Sequence, residues 1–254
     1  MAAAEPSRPP LCVAAQVVSN ELITHDTRLL RLRLPAGSHF RFRAGQFARL
    51  HLPGGVERDY SIASPPPLDG STATELDFHI RLAPGSNGGS RVLHEQVHAG
   101  DTLTVSGPFG ESHWRADHDG PMLLVAGGTG LAPIMAIAEA TLGSGSVQPV
   151  RLYLGARDER DVYGEPRLRE LAAKFPHFRY QIVLSEASAD SGRRRGMVTD
   201  VLADDFGLAD GTARPDPLTG IKVYVAGPPA MVATTTRWLK SIGVADSDIH
   251  RDAY

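Results

Sequence analysis

Val125-Ala126-Gly127-Gly128-Thr129-Gly130-Leu131-Ala132-Pro133 carries the chain from an apolar run, Met122–Ala126, into a helical pattern at Pro133–Leu142. Strand, glycines, helix is the order of a phosphate cradle: glycines let the backbone approach an anion, and the helix offers it N–H groups that have no intrahelical partner. The third fingerprint position of Gly-x-Gly-x-x-Gly is here Pro133. Proline is tolerated in a first helical turn, where its missing N–H would have had no partner. A lone Gly-x-Gly is weak, so its meaning rests on what surrounds it.

Downstream the alternation continues. Apolar runs at Val150–Gly155, Tyr180–Leu184 and Val223–Ala226 are separated by helical stretches at Glu165–Lys174, around Asp200–Leu202 and at Ala230–Ile242. Continuous apolar strands with helices between them predict a parallel sheet covered on both faces. Upstream the period changes. Cys12–Val18, Thr27–Leu34, Phe47–Leu52, Ser61–Ser64, Leu76–Leu82 and Thr102–Ser106 are short β-rich segments divided by Gly/Pro turns, with one helical stretch at Ser90–Val97. Such spacing predicts an antiparallel β-barrel. The polar stretch Ser112–Gly120 divides the patterns. The expected organisation is a flexible tail over 1–10, an antiparallel β-barrel domain over 11–117, and an α/β parallel-sheet nucleotide-binding domain over 118–254.

Composition narrows the function classes. Of 254 residues, 42% are hydrophobic, enough for packed cores. A net charge of -3 gives no electrostatic footprint for nucleic acid or a membrane surface. No apolar run approaches the roughly 18–20 residues that span a bilayer. The first ten residues lack the layout of a signal peptide, so a cytoplasmic location is expected. Cys12 is the only cysteine. These residues therefore hold no intrachain disulfide, no Cys-based zinc site and no four-thiolate iron–sulfur cluster, and no metal is expected.

Arg58-Asp59-Tyr60-Ser61, placed between two predicted strands, carries chemistry that suits a flavin. An arginine pairs with diphosphate, an aromatic ring offers isoalloxazine a stacking face, and a serine hydroxyl can meet the ring nitrogen that receives hydride. Gly88-Gly89-Ser90 opens the Ser90–Val97 helix with two glycines, again suiting a pyrophosphate.

Taken together and in order, these segments resemble the ferredoxin–NADP reductase family. Arg58-x-Tyr60-Ser61 is similar to its flavin motif, Ala44-Gly45-Gln46-Phe47 to the strand before it, and Gly88-Gly89-Ser90-Arg91-Val92-Leu93-His94 to its phosphate turn. Gly107-Pro108-Phe109-Gly110 matches its closing Gly-Pro-x-Gly, and Gly128-Thr129-Gly130 with Pro133 its Gly-x-Gly-x-x-Pro loop. Tyr153-Leu154-Gly155-Ala156-Arg157 resembles a strand exit, and Gly227-Pro228-Pro229-Ala230-Met231 the loop beside the nicotinamide, although Ala226 stands where many members have cysteine.

The resemblance implies FAD in the barrel domain and NADH or NADPH in the other. Arg58 and Ser90 would hold phosphate, Tyr60 would stack on the flavin, Ser61 would contact N5, and His79-Ile80-Arg81 would supply backbone contacts. The sequence runs out at Ile249-His250-Arg251-Asp252-Ala253-Tyr254; members often end on an acidic residue and an aromatic, so Tyr254 is expected over the flavin with Asp252 as a polar contact or proton relay. Ser185-Glu186 falls where adenosine ribose should lie, and a carboxylate there repels a 2′-phosphate, which favours NADH. Arg193–Arg195 could swing back to a phosphate.

The implied activity passes electrons from NAD(P)H through flavin N5 to a separate acceptor. That acceptor is expected to be a ferredoxin-like or other iron–sulfur or haem partner of an oxygenase system. Reduction of free flavin is the alternative. A remote rival is the zinc-peptidase pattern His94-Glu95-Gln96-Val97-His98, whose histidines would share a face only on a continuing helix.

Overall fold

The computed structural model describes residues 10–82, 88–187, 192–206 and 219–254. The expected tail thus falls, but for Pro10, outside the described residues. The first half is built from β1 (Leu11–Leu22), β2 (Thr27–Arg33), β3 (Phe47–Leu52), β4 (Val56–Ser61), β5 (Glu75–Arg81) and β6 (Thr102–Phe109), with the short helix α1 (Gly89–Glu95). Each pairing between these strands is antiparallel, in the order β4-β3-β6-β1-β2-β5. A bridge between Ile62 and Phe78 brings the two outer strands together. Closure matters because an open edge leaves a row of unpaired N–H and C=O groups.

Alternation along the strands fills the barrel. Leu30, Leu32, Leu50, Leu76, Phe78 and Ile80 are fully buried in one core, which Leu93 of α1 and nearby Val97 help to close. At about 1.5–3 kcal/mol per buried large aliphatic or aromatic side chain, this core is the main stabiliser of that half.

The second half holds β7 (Met122–Gly127), β8 (Val150–Ala156), β9 (Phe178–Leu184), β10 (Arg194–Arg195), β11 (Lys222–Gly227) and β12 (Ile249–Ala253). They are parallel, in the order β10-β9-β8-β7-β11-β12. The helices are α2 (Leu131–Gly143), α3 (Glu165–Lys174), α4 (Val198–Asp205) and α5 (Pro229–Ser241). Every residue of β7 is buried, and its alternate side chains feed opposite cores. Met122, Leu124 and Ala126 pack with α2 and α3, whereas Leu123 and Val125 pack with α4 and α5. This two-sided burial is the reason the strand reads as an unbroken apolar run. Helix α2 is apolar nearly all round because it is covered twice, by its own sheet and by Ala44 of the barrel half.

The fold class expected from the sequence is thus found. One local reading changes. Arg58-Asp59-Tyr60-Ser61 is not a connection between strands but forms most of β4, and the strand expected at Ser61–Ser64 stops at Ser61. The segment Ile249–Ala253 forms an edge strand beside β11. No helix among the described residues is long and apolar enough to cross a membrane.

Candidate functional site

The chain leaves β7 towards β8 on one side and later returns to β11 on the other. This strand reversal makes a crevice beyond the carboxyl ends of β7 and β11, the place where open α/β sheets hold ligands. The loops that line it touch backbone to backbone. A Cβ at Gly130 would overlap the carbonyl of Ala226, and one at Gly227 would lie 2.7 Å from the carbonyl oxygen of Gly127. Gly227 also adopts a φ of 143°, open in practice to glycine alone. Gly130, Gly227 and the buried Pro133 therefore build the crevice rather than line it.

A cleft of about 710 Å³ opens there between the two halves, within the usual range for small-molecule sites. The barrel contributes Phe47, Tyr60 and Ser61, with His79 and Arg81 from β5; the parallel half contributes Gly128, Thr129, Pro228, Asp252 and Tyr254. Ser61 Oγ donates to Asp252 Oδ2 at 3.1 Å, joining residues 191 positions apart. Burial pushes the Asp252 carboxyl above its ordinary value, against the lowering effect of that hydrogen bond. Burial also pushes the Tyr60 phenol up to about 12. Tyr254 is 51% exposed as a residue, while its hydroxyl reaches Ser61 and Thr129. Its ring therefore spans the gap between the halves, and its phenol is raised by desolvation of that tip and by Asp252.

The proposed phosphate turn lies outside that cleft wall but is assembled. A Cβ on Gly89 would run into Cγ of Arg58, so the Arg58 stem lies across the first turn of α1, beside Gly88 and Ser90. The glycines and first-turn N–H groups beside the Arg58 stem, with the flat ring of Tyr60 and the Ser61 hydroxyl beyond them, suit a flavin dinucleotide, while the Arg58 guanidinium donates to the Glu57 carbonyl at 2.7 Å. The Ile80 side chain is fully buried in the barrel, and its carbonyl accepts from His94 Nε2 at 2.9 Å. The same bond disposes of the zinc pattern. Helix α1 ends at Glu95, so His98 does not share a helix face with His94, whose Nε2 is engaged.

A second cavity of about 380 Å³ adjoins the first, and Arg81, Gly127, Gly128, Thr129, Arg157 and Pro228 line both. Beyond these shared walls it is bounded by Ser185, Met231, Met197, Thr199 and Asp200. Glu186 is exposed and outside the wall, with its N–H donated to the Arg157 carbonyl at 2.7 Å. Three carboxylates do line this cavity: Asp26 and Asp161, each paired with an arginine of the shared wall, and Asp200, in the first turn of α4. Arg193 is held by Glu159 and Glu165, and Arg194 by Asp205, so the notion of their swinging to a phosphate would break existing ion pairs. Asp26 binds Arg81 and Asp161 binds Arg157, which brackets the shared wall with ion pairs from both halves.

Several lining residues escaped sequence reasoning. Phe47 sat in a quoted motif without a role, Asp200 was visible only as part of a helix, and Tyr163 gave no signal.

A family model for the oxidoreductase FAD-binding domain matches residues 14–114, and one for the oxidoreductase NAD-binding domain matches residues 124–237. The ferredoxin–NAD(P)+ reductase component of naphthalene 1,2-dioxygenase/salicylate 5-hydroxylase systems from Ralstonia sp. is 37% identical, over 97% of this chain and 70% of that protein. The corresponding naphthalene 1,2-dioxygenase component of Pseudomonas putida is 36% identical, over 98% and 70%. Among solved structures, the Amycolatopsis cytochrome P450 reductase GcoB superposes with a TM-score of 0.86 at 33% identity, covering 100% of this chain and 73% of its own. Matched across both halves and by relatives spanned over more than two thirds of their length, the chain belongs to the ferredoxin–NAD(P) reductase family and is an FAD-dependent NAD(P)H oxidoreductase.

Proposed function

We propose that the protein takes electrons from NADH and delivers them to a separate ferredoxin-like or other iron–sulfur or haem partner of an oxygenase system, in the cytoplasm, where reduced nicotinamide is available. The observation that carries this reading is the pair of adjoining cavities with six common lining residues, which would bring two flat rings together at Gly127–Thr129 and Pro228. Relatives named as reductase components of dioxygenase systems support the choice of acceptor. FAD, when bound, supplies the hydride-accepting ring and the means of passing two electrons on singly.

The chain's residues do the rest. Tyr60 and Tyr254 present aromatic faces within the first cleft. Arg58 with Gly88, Gly89 and Ser90 holds the diphosphate. Ser61 orients its hydroxyl through Asp252, so a proton on Asp252 can be relayed to Ser61 Oγ or back. Tyr254 shields the cleft from water and must turn aside to admit the nicotinamide. Asp200, with Glu186 beyond the cavity rim, disfavours a 2′-phosphate beside Ser185, which supports NADH as donor.

The test is anaerobic. FAD-loaded protein should bleach with NADH and then reduce a purified [2Fe–2S] ferredoxin faster than free flavin. No bleaching would overturn the whole reading. Turnover with free flavin alone, with FAD lost on gel filtration, would overturn the protein-acceptor part.

A further inference from the structure

Tyr163, between β8 and α3, is buried and makes two polar contacts with different halves of the molecule. Its hydroxyl lies 3.1 Å from Nδ1 of His79 on β5 and 3.3 Å from the carbonyl oxygen of Gly128 in the loop after β7. The two rings meet edge to face, with centroids 5.0 Å apart at 90°. His79 lines the flavin cleft, Tyr163 the second cavity, and Gly128 both.

Proton counting fixes the direction. A carbonyl only accepts, so the single phenol proton goes to Gly128, and His79 must then donate its Nδ1–H to Tyr163 Oη. Both groups are held neutral by burial, His79 being pushed down to about 4 and Tyr163 up. The pair is a neutral strut from the barrel half to the loop after β7.

Gly128 O and the N–H of Thr129 are two ends of one planar trans peptide and point opposite ways. Whatever holds the carbonyl therefore aims that N–H, one of the first-turn donors without an intrahelical partner. The tight turn over Gly128–Gly130 holds the same carbonyl from its own side, through the Leu131 N–H, and the Tyr163 hydroxyl holds it from across the cleft; with a φ of 54° and open space where a Cβ would be, Gly128 has no side chain to add a third restraint.

We infer that Tyr163 is a positioning residue for the coenzyme: anchored by His79 on the flavin-side strand, it orients the Gly128–Thr129 peptide so that its N–H faces the nicotinamide dinucleotide. The inference rests on that coenzyme occupying the second cavity. Tyr163→Phe keeps the ring and its edge-to-face packing but removes the strut. Titration of FAD-loaded protein with NAD+, read in the flavin absorbance, should show Kd raised about fivefold, the scale of one neutral hydrogen bond. KM for NADH should rise by the same factor, with kcat falling no more than twofold and FAD content kept.

His79→Phe supplies the second variant. It should raise the NAD+ Kd by a smaller factor, and the double variant should be no worse than Tyr163→Phe alone, as expected for residues acting in series. Failure of the wild type itself to bind NAD+ would overturn the coenzyme reading and this inference with it. Wild-type binding with equal affinity in Tyr163→Phe would overturn the inference alone, as would KM and kcat changing together with loss of FAD.

Discussion

Removing the Ser61 hydroxyl should slow flavin reduction by NADH about 10- to 100-fold while leaving coenzyme affinity within twofold. Ser61 Oγ is the donor to Asp252 Oδ2 at 3.1 Å, and Asp252 is already raised by burial. Stripping a partner from a buried polar group costs about 1–3 kcal/mol. If that loss is felt where the hydroxyl meets the reacting ring, about 1.4 kcal/mol is one decade in rate. Asp252→Asn separates the chemistry from the packing. Its amide oxygen can still accept from Ser61, but it has no carboxylate to desolvate. A carboxyl raised in the folded state destabilises that state once the pH is high enough to ionise it in the unfolded chain, so its penalty is present at neutral pH and disappears in acid. Asp252→Asn should therefore melt higher than the wild type at pH 7 and transfer hydride more slowly. Stopped-flow bleaching at saturating NADH and thermal melts of the same FAD-loaded samples read both effects. A full reduction rate in Ser61→Ala, joined to a lower melting temperature in Asp252→Asn, would refute the reasoning.

Gly130→Ala should weaken NAD+ binding at least tenfold and lower stability by about 1–3 kcal/mol, because the new Cβ meets the Ala226 carbonyl; calorimetry and denaturant unfolding check both. Asp200→Asn should shrink the ratio of kcat/KM for NADH over NADPH about tenfold, the scale of one unit charge near a phosphate at intermediate dielectric, with steady-state kinetics as the measure. Acid should unfold the protein early. His79 and His250 are pushed down to about 4, mainly by burial, so both stay neutral in the folded chain while the unfolded chain takes up protons below about 6.5. Their contribution is present above that value and is lost as the pH falls towards 4, by at most about 3 kcal/mol each and less for the partly exposed His250. His250→Phe, which keeps the stacking on Tyr224, should flatten that acid limb in pH-dependent unfolding.

The periods of the two halves were legible because burial geometry writes them into the chain. Leu123 and Val125 face one helix layer while Met122 and Leu124 face the other, so β7 can only be an unbroken apolar run. Leu32, Leu76, Phe78 and Ile80 alternate with polar neighbours because only one barrel face is dry. The motif residues Tyr60, Ser61, Gly128 and Pro228 were legible for a different reason: their chemistry is carried by residue type at fixed local spacing. What stayed hidden depends on distant approach. Asp200 reaches the second cavity because α4 starts where β9 and β10 end, which no local pattern announces. Glu186 had the right neighbour in Ser185, yet the turn directs it out of the cavity wall. The strand over Ile249–Ala253 left no period in the sequence, since an edge strand needs only one partner, and that partner, β11, lies more than twenty residues earlier.

The contacts that complete the site cross from one half to the other, and this constrains how it can work. Ser61 is set by Asp252, His79 by Tyr163, and Arg81 and Arg157 are each held by a carboxylate next to the shared wall. Backbone contact between the loops of β7 and β11 fixes the coenzyme side to within the space of a methyl group. Neither sheet alone offers a complete binding wall, so a shift of one half against the other by even an ångström would disturb flavin and coenzyme contacts together. Donor chemistry is thereby tied to the interior, where each change has a steric partner. Variation in the electron acceptor must then be sought on surfaces that carry no such partner, and a reductase of this build can change its client protein without rebuilding the crevice that loads it.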